Sequence, residues 1–306
     1  SSLKTEHFQV SGSWYYYISD EKLLRMNWKN GKTELMCEGA EQYFVWDDIV
    51  YYMDDGVIAT VSEGEPYQDL ASYSLEADGD TFILKDASGE PVEADENGLL
   101  QIEDRVFELE DGRILSVSQR PQEFNGNHYF LKDGKIYWSE SEGSGTMLRQ
   151  SGERTDSFCI VGQTLYYSAY MGTNEIGLGT SRIYRIDLET MEEETASQTF
   201  EGRVTALWCS AEDDCVYGEH GAENGQPVRG RIVCIPENGG IYAIDDSDSR
   251  PQGARGGSEW MRFLTSDGGN IYCLWQDCAG NPVSGNAEVL STEPVILERE
   301  KIIYLH

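Results

Sequence analysis

Asp133-Gly134-Lys135-Ile136-Tyr137-Trp138-Ser139-Glu140 reads as a tight turn followed by a strand of apolar and aromatic residues. Gly143-Ser144-Gly145 then turns the chain, and Thr146-Met147-Leu148-Arg149 returns antiparallel. The same hairpin recurs along the sequence. Gly12-Ser13-Trp14-Tyr15-Tyr16-Tyr17-Ile18 leads to Leu23-Leu24-Arg25-Met26, Asp47-Asp48-Ile49-Val50-Tyr51-Tyr52-Met53 leads to Val57-Ile58-Ala59-Thr60, and Gly162-Gln163-Thr164-Leu165-Tyr166-Tyr167-Ser168 leads to Arg182-Ile183-Tyr184-Arg185-Ile186.

A hairpin repeated from end to end makes the 306 residues one large all-β domain spanning 1–306. The first unit predicts strands over 6–10, 14–19, 22–28 and 33–37, with Asn30-Gly31 as a two-residue corner in which both residues take φ > 0. A second unit spans residues 42–70. Residues 73–119 hold two hairpin signals, Asp80-Thr81-Phe82-Ile83-Leu84 and Arg105-Val106-Phe107-Glu108-Leu109, which fit either two short blades or one blade with an extra hairpin. No amphipathic helix is visible, and residues 245–258 read as a linker.

Aromatic runs such as Trp14-Tyr15-Tyr16-Tyr17 lack polar alternation, so both faces of their sheets must be covered. A ring of stacked four-stranded antiparallel sheets does this while leaving only short edges, which predicts a single β-propeller. Between Tyr16 and Tyr272, six steps of about 43 residues match the usual blade length, so seven blades are favoured within a range of six to eight. Trp14, Tyr16, Tyr51, Tyr137, Tyr166 and Tyr272 are expected to occupy equivalent, mostly buried strand positions.

Ile136-Tyr137-Trp138-Ser139-Glu140 with Leu148-Arg149, and Leu165-Tyr166-Tyr167-Ser168 with Ile183-Tyr184-Arg185-Ile186-Asp187-Leu188, resemble the YWTD repeats of low-density-lipoprotein-receptor propellers. They resemble still more an uncharacterised exported bacterial family with such repeats. The resemblance implies a propeller that binds proteins or wall components outside the cell, and it carries over no catalytic residue.

The 55 acidic and 23 basic side chains give a net charge of −32, a field that repels phosphate backbones and argues against nucleic acid as a partner. Residues 38–111 hold 22 Asp or Glu against only Lys85 and Arg105, so this region reads as an acidic, solvated sector. No stretch approaches the ~20 apolar residues of a membrane span. The chain begins Ser1-Ser2-Leu3 without Met, as a mature secreted protein or an artificially trimmed chain would, so a targeting segment is expected to be absent from it, and it is expected to act as a monomer.

The seven cysteines contain no C-x-x-C pair, and most sit inside apolar strands. Buried free thiols are expected, with short-loop disulfides Cys209–Cys215 and Cys273–Cys278 as the alternative. No P-loop, H-E-x-x-H or G-x-S-x-G motif occurs. No cofactor is expected; Asp245-Asp246-Ser247-Asp248-Ser249 offers oxygen ligands for Ca²⁺ but lacks the EF-hand glycine and glutamate. Glu219 and His220, with Asp277, are the only His/carboxylate set suited to acid–base work.

Three segments rich in Gly, Asn and Pro, at 171–180, 218–230 and 276–286, predict long loops on one face. Tyr170, Asn174 and Glu175, then Glu219, His220, Asn224 and Arg229, then Gln276, Asp277 and Asn281 would there form a ligand-binding wall of one aromatic platform and several hydrogen-bonding tips. The expected function is non-catalytic binding of a protein, peptide or cell-wall glycan outside the cell. The alternative is a glycan-active hydrolase or lyase using carboxylates in the central funnel.

Overall fold

A computed structural model describes residues 4–5, 10–11, 13–27, 29–46, 49–62, 72–79, 81–96, 98–102, 105–117, 122–140, 145–209, 215–221, 231–244, 260–266, 270–276, 288–291 and 300–301. All regular structure among them is β, and none of it is a helix long and apolar enough to cross a membrane. The linker and the Ca²⁺ candidate at 245–249 lie outside the described residues.

The chain falls into two compact units, Ser1–Pro121 with Ser139–Gly145, and Gln122–Trp138 with Thr146–His306. In the first, sheet A contains Val10–Ser11, Trp14–Ser19, Lys22–Asn27 and Thr33–Glu38, and sheet B contains Ala40–Trp46, Ile49–Asp54 and Val57–Ser62. Sheet C settles the 73–119 region as one sheet with an added hairpin. Its strand order is Leu99–Ile102, Arg105–Glu110, Arg113–Val117, Thr81–Lys85, Ser74–Asp78, and Lys4–Thr5 joins Arg113–Val117 in parallel. The crossover at 86–98 is built by Asp86 and Asp95, whose side chains accept backbone N–H groups at Ser88 (2.8 Å) and Leu99 (2.9 Å). The Asp111-Gly112 corner then comes so close that a Cβ on Gly112, at φ 76°, would lie 2.7 Å from Cβ of Pro91.

In the second unit, sheet D contains Gln122–Phe124, Asn127–Lys132, Lys135–Ser139 and Thr146–Met147. Sheet E contains Arg154–Val161, Thr164–Thr173, Gly179–Asp187 and Glu193–Thr195, plus Phe200–Glu201. Sheet F contains Arg203–Cys209, Cys215–Gly221, Arg231–Pro236 and Tyr242–Ala243, edged by Glu300–Lys301, and sheet G contains Trp260–Ser266, Asn270–Gln276 and Glu288–Ser291.

Period-two alternation sends successive side chains to opposite faces, and both faces are covered. In sheet B, Val50 packs with Trp14, Tyr16 and Leu23 of sheet A, whereas Ile49, Tyr51 and Met53 pack with Phe82, Leu84 and Phe107 of sheet C. In sheet E, Leu165, Tyr167 and Ala169 meet Tyr129 and Ile136 of sheet D, whereas Tyr166 joins Val204, Val216 and Val233 of sheet F. Tyr217 and Ile232 of sheet F in turn bury Cys273 and Trp275 of sheet G. Antiparallel sheets stacked in chain order through both faces are the blade organisation of a β-propeller.

Trp14, Tyr16, Tyr51 and Tyr166 are buried as expected. Tyr137 is half-buried, because the neighbouring Ile136 takes the fully enclosed position while Tyr137 stacks on Phe130 at 5.7 Å. The side chain of Tyr272 lies outside the described residues.

Two-residue corners with both φ positive occur at Asp55-Gly56, Asp111-Gly112, Asn125-Gly126 and Asp133-Gly134. Asn30-Gly31 is not one of them, since only Gly31 has positive φ. Asn27 Oδ1 accepts from the amides of Lys29 (3.0 Å) and Asn30 (3.3 Å), and this cap widens the loop until Asn27 N–H closes it on the Lys32 carbonyl at 2.8 Å.

Cys37, Cys159, Cys234 and Cys273 are buried, Cys209 and Cys215 are half-buried, and none of these six is in a disulfide. Burial pushes the Cys159 thiol well above its ordinary pKa. Cys278 lies outside the described residues.

Candidate functional site

The first strands of sheets E and F lie side by side, and each carries a bulge near its start. Pairing skips from Thr155 to Ser157 and from Val204 to Ala206, so Asp156 and Thr205 are the extra residues. A bulge re-aims a side chain and breaks the ladder locally. Asp156 is turned into a site between the strands, where its side chain is 1% exposed.

Such a carboxylate needs charged partners. Arg203 supplies a fork, with Nη2 2.5 Å from Oδ1 and Nε 2.9 Å from Oδ2, and Arg154 Nε donates to Oδ1 at 3.2 Å. The guanidinium of Arg154 lies 4.0 Å over the ring of Tyr170, its directly paired neighbour across the sheet. Arg203 and Arg154 thus both reach the one carboxylate of Asp156. Both arginines remain about one-third exposed.

The strand ends around this group are stitched together. Ser157 Oγ donates to the Val204 carbonyl and Ser181 Oγ to the Gly202 carbonyl, each at 2.7 Å. Gly202 has φ 85°, and a Cβ there would come within 2.3 Å of the Gly221 carbonyl oxygen and 3.0 Å of His220 Nε2. Only glycine admits the imidazole at this joint.

His220 is 3% exposed and sits edge-on to Phe200 at 5.7 Å. Its Nε2 lies 2.7 Å from the Glu201 carbonyl. A carbonyl can only accept, so Nε2 carries the proton and Nδ1 is the bare nitrogen, buried without a hydrogen-bond partner. Burial, assisted by the charge of Arg231, lowers the ring pKa to about 4.

The expected binding residues are placed unevenly. Residues 171–173 and 179–180 continue the strands of sheet E, shrinking the first loop to 174–178. Asn174 caps that turn, its Oδ1 accepting from the amides of Ile176 (3.1 Å) and Leu178 (2.8 Å), and Glu175 is exposed beside it. Glu219 and His220 are not loop tips: they are buried strand residues of sheet F. As strand neighbours they point to opposite faces, His220 toward Phe200 of sheet E and Glu219 to the side of Tyr217, which ends their joint acid–base reading. Gln276 ends a strand of sheet G. Asn224, Arg229, Asp277 and Asn281 lie outside the described residues.

Among the described residues of the expected set, only Tyr170 belongs to the arginine cluster. Arg154, Asp156 and Arg203 were not among the residues expected from sequence, although a signal exists: Gly152-Glu153-Arg154-Thr155-Asp156-Ser157 and Gly202-Arg203-Val204-Thr205-Ala206 both place Arg within two residues after a Gly at a strand start.

No family model matches the chain, and no curated protein matches it. Among solved structures it is similar to a chain of a nidogen/laminin complex, at 12% identity over 88% of this chain and 91% of that one, with TM-score 0.39. It is similar to an oligogalacturonate lyase in complex with manganese at 16% identity, covering 90% and 83% of the two chains, with TM-score 0.45. For Hsv2 of Kluyveromyces lactis the identity is 8%, the coverage 95% and 96%, and the TM-score 0.40. No residue role passes across identities this low.

Proposed function

We propose that the protein is a non-catalytic binding propeller acting outside the cell, and that it recognises a peptide or glycan bearing anionic groups at the shared end of sheets E and F. One observation carries the proposal: the Arg203–Asp156 fork and the Arg154–Tyr170 stack fix two guanidiniums and an aromatic ring side by side at a partly open strand end. Guanidiniums already aligned by a buried carboxylate lose little freedom when they meet a carboxylate or a ring of hydroxyls. Asp156 is engaged by both arginines and His220 is sealed and neutral, so these two groups serve the frame rather than proton transfer. The YWTD-like repeats favour the extracellular setting.

The test is a panel of uronate-containing glycans, peptidoglycan fragments and acidic peptides, titrated with and without Ca²⁺ against the parent and an Arg154→Gln/Arg203→Gln double variant of verified fold. The reading predicts at least one ligand whose affinity falls about tenfold or more in the variant. Absence of any binder, or equal binding by both proteins, overturns it.

A further inference from the structure

A second candidate site lies apart from the arginine cluster, where the segment linking sheets D and E passes the outer strand of sheet E. A cleft of about 570 Å³ opens there, large enough for a few residues of an extended peptide. Leu148 and Ile186, both core members, form its floor, and Met191, 48% exposed, forms one wall.

The polar side of the cleft is held in place. Ser151 N–H donates to Tyr167 Oη at 2.8 Å, and the Ser151 and Tyr167 hydroxyls both donate to the carboxylate of Glu193. Burial, with the Glu193 carboxylate next in importance, pushes the Tyr167 phenol well above its ordinary pKa, so it stays protonated and donating. The linking segment is pinned from beneath by the Gln150 side chain, which accepts from the Ile136 amide at 2.5 Å and donates to Thr155 Oγ1.

Met191 is also held in the left-handed region, at φ 61°, which non-glycine residues seldom adopt. The turn that imposes this is built by Asp187, which accepts from the amides of Glu189 (2.8 Å) and Thr190 (2.9 Å). The result is an unbranched, polarisable side chain set at the cleft mouth, a residue type that adapts to varied apolar partners.

We propose that this cleft binds a basic segment of a partner protein, with a Lys or Arg side chain laying its methylenes along Leu148, Ile186 and Met191 and its cationic head on Glu193. Charge complementarity selects that occupant. Glu189 and Glu192, exposed and close to Met191 in the sequence, add negative charge, and the whole chain carries −32. Arg149 on the rim offers donors to main-chain carbonyls of an extended peptide.

The probes are three fluorescent capped pentapeptides, Gly-Leu-Xaa-Leu-Gly, with Lys, norleucine or Glu as Xaa, followed by anisotropy. The Lys peptide should bind about tenfold or more tightly than the norleucine peptide, and added salt should weaken it. Glu193→Gln should remove that preference. Met191→Gly, which suits the positive φ and preserves the fold, should weaken the Lys peptide several-fold. Equal binding of Lys and norleucine peptides, no binding of either, or full binding by both variants overturns the proposal. The Arg154→Gln/Arg203→Gln variant should bind the Lys peptide like the parent, so this result stands or falls separately from the anionic-ligand reading.

Discussion

His220 stays neutral in the fold because charging it would place an imidazolium against Phe200 with no anion to meet it. Its unfolded pKa is near 6.5 and its folded pKa about 4, so between those values the unfolded chain binds more protons. The stability associated with the neutral ring is complete above 6.5 and is lost as pH falls toward 4, by about 3 kcal/mol in all. In urea melts across that window, His220→Gln should show a shallower pH dependence than the parent; parallel curves would contradict the assignment. At Arg203 a different term dominates. Arg203→Met leaves the Asp156 carboxylate with the single 3.2 Å bond from Arg154 and should cost about 1.5–3 kcal/mol, whereas Arg154→Met should cost less because the fork survives. The reverse order in thermal melts would contradict this geometry. Gly112→Ala combines a left-handed backbone with a clash on Pro91 and should lose about 1–3 kcal/mol.

Each central strand is a two-faced wedge between neighbouring sheets, and this property was legible in the sequence. Ile49-Val50-Tyr51-Tyr52-Met53 and Leu165-Tyr166-Tyr167 have no polar face to turn toward water, so a sheet on either side was required. Tyr51 is fully enclosed and stacks on Phe44 at 5.0 Å, and Tyr51→Ala should cost about 3–5 kcal/mol in denaturant melts; a loss below about 1 kcal/mol would deny its central place. Bulges were not legible, because whether Asp156 is an extra residue depends on the register of the strand opposite. The order of sheet C was hidden for a related reason: a hairpin signal names its two strands, but not the third strand that Arg113–Val117 returns to. The length of the 171–180 loop was misjudged because Gly172 and Asn174 look like loop residues. Gly172 instead follows the bulged residue Met171, and Asn174 closes a short turn.

Over the whole molecule the side chains sum to a net −32, and residues 38–111 hold 22 acids against two cations. Self-repulsion of that size predicts a melting temperature that rises from low to moderate salt as the Debye length shortens toward about 8 Å. A flat response would contradict it. Ligand contact is expected where Arg154, Arg203 and Tyr170 are fixed together, and hydrogen–deuterium exchange with a bound panel ligand reads this directly. The account predicts that protection appears in 153–157, 170–173 and 201–204 and is absent from the Arg154→Gln/Arg203→Gln variant; a ligand footprint that spares those segments, or that persists unchanged in the variant, would contradict it.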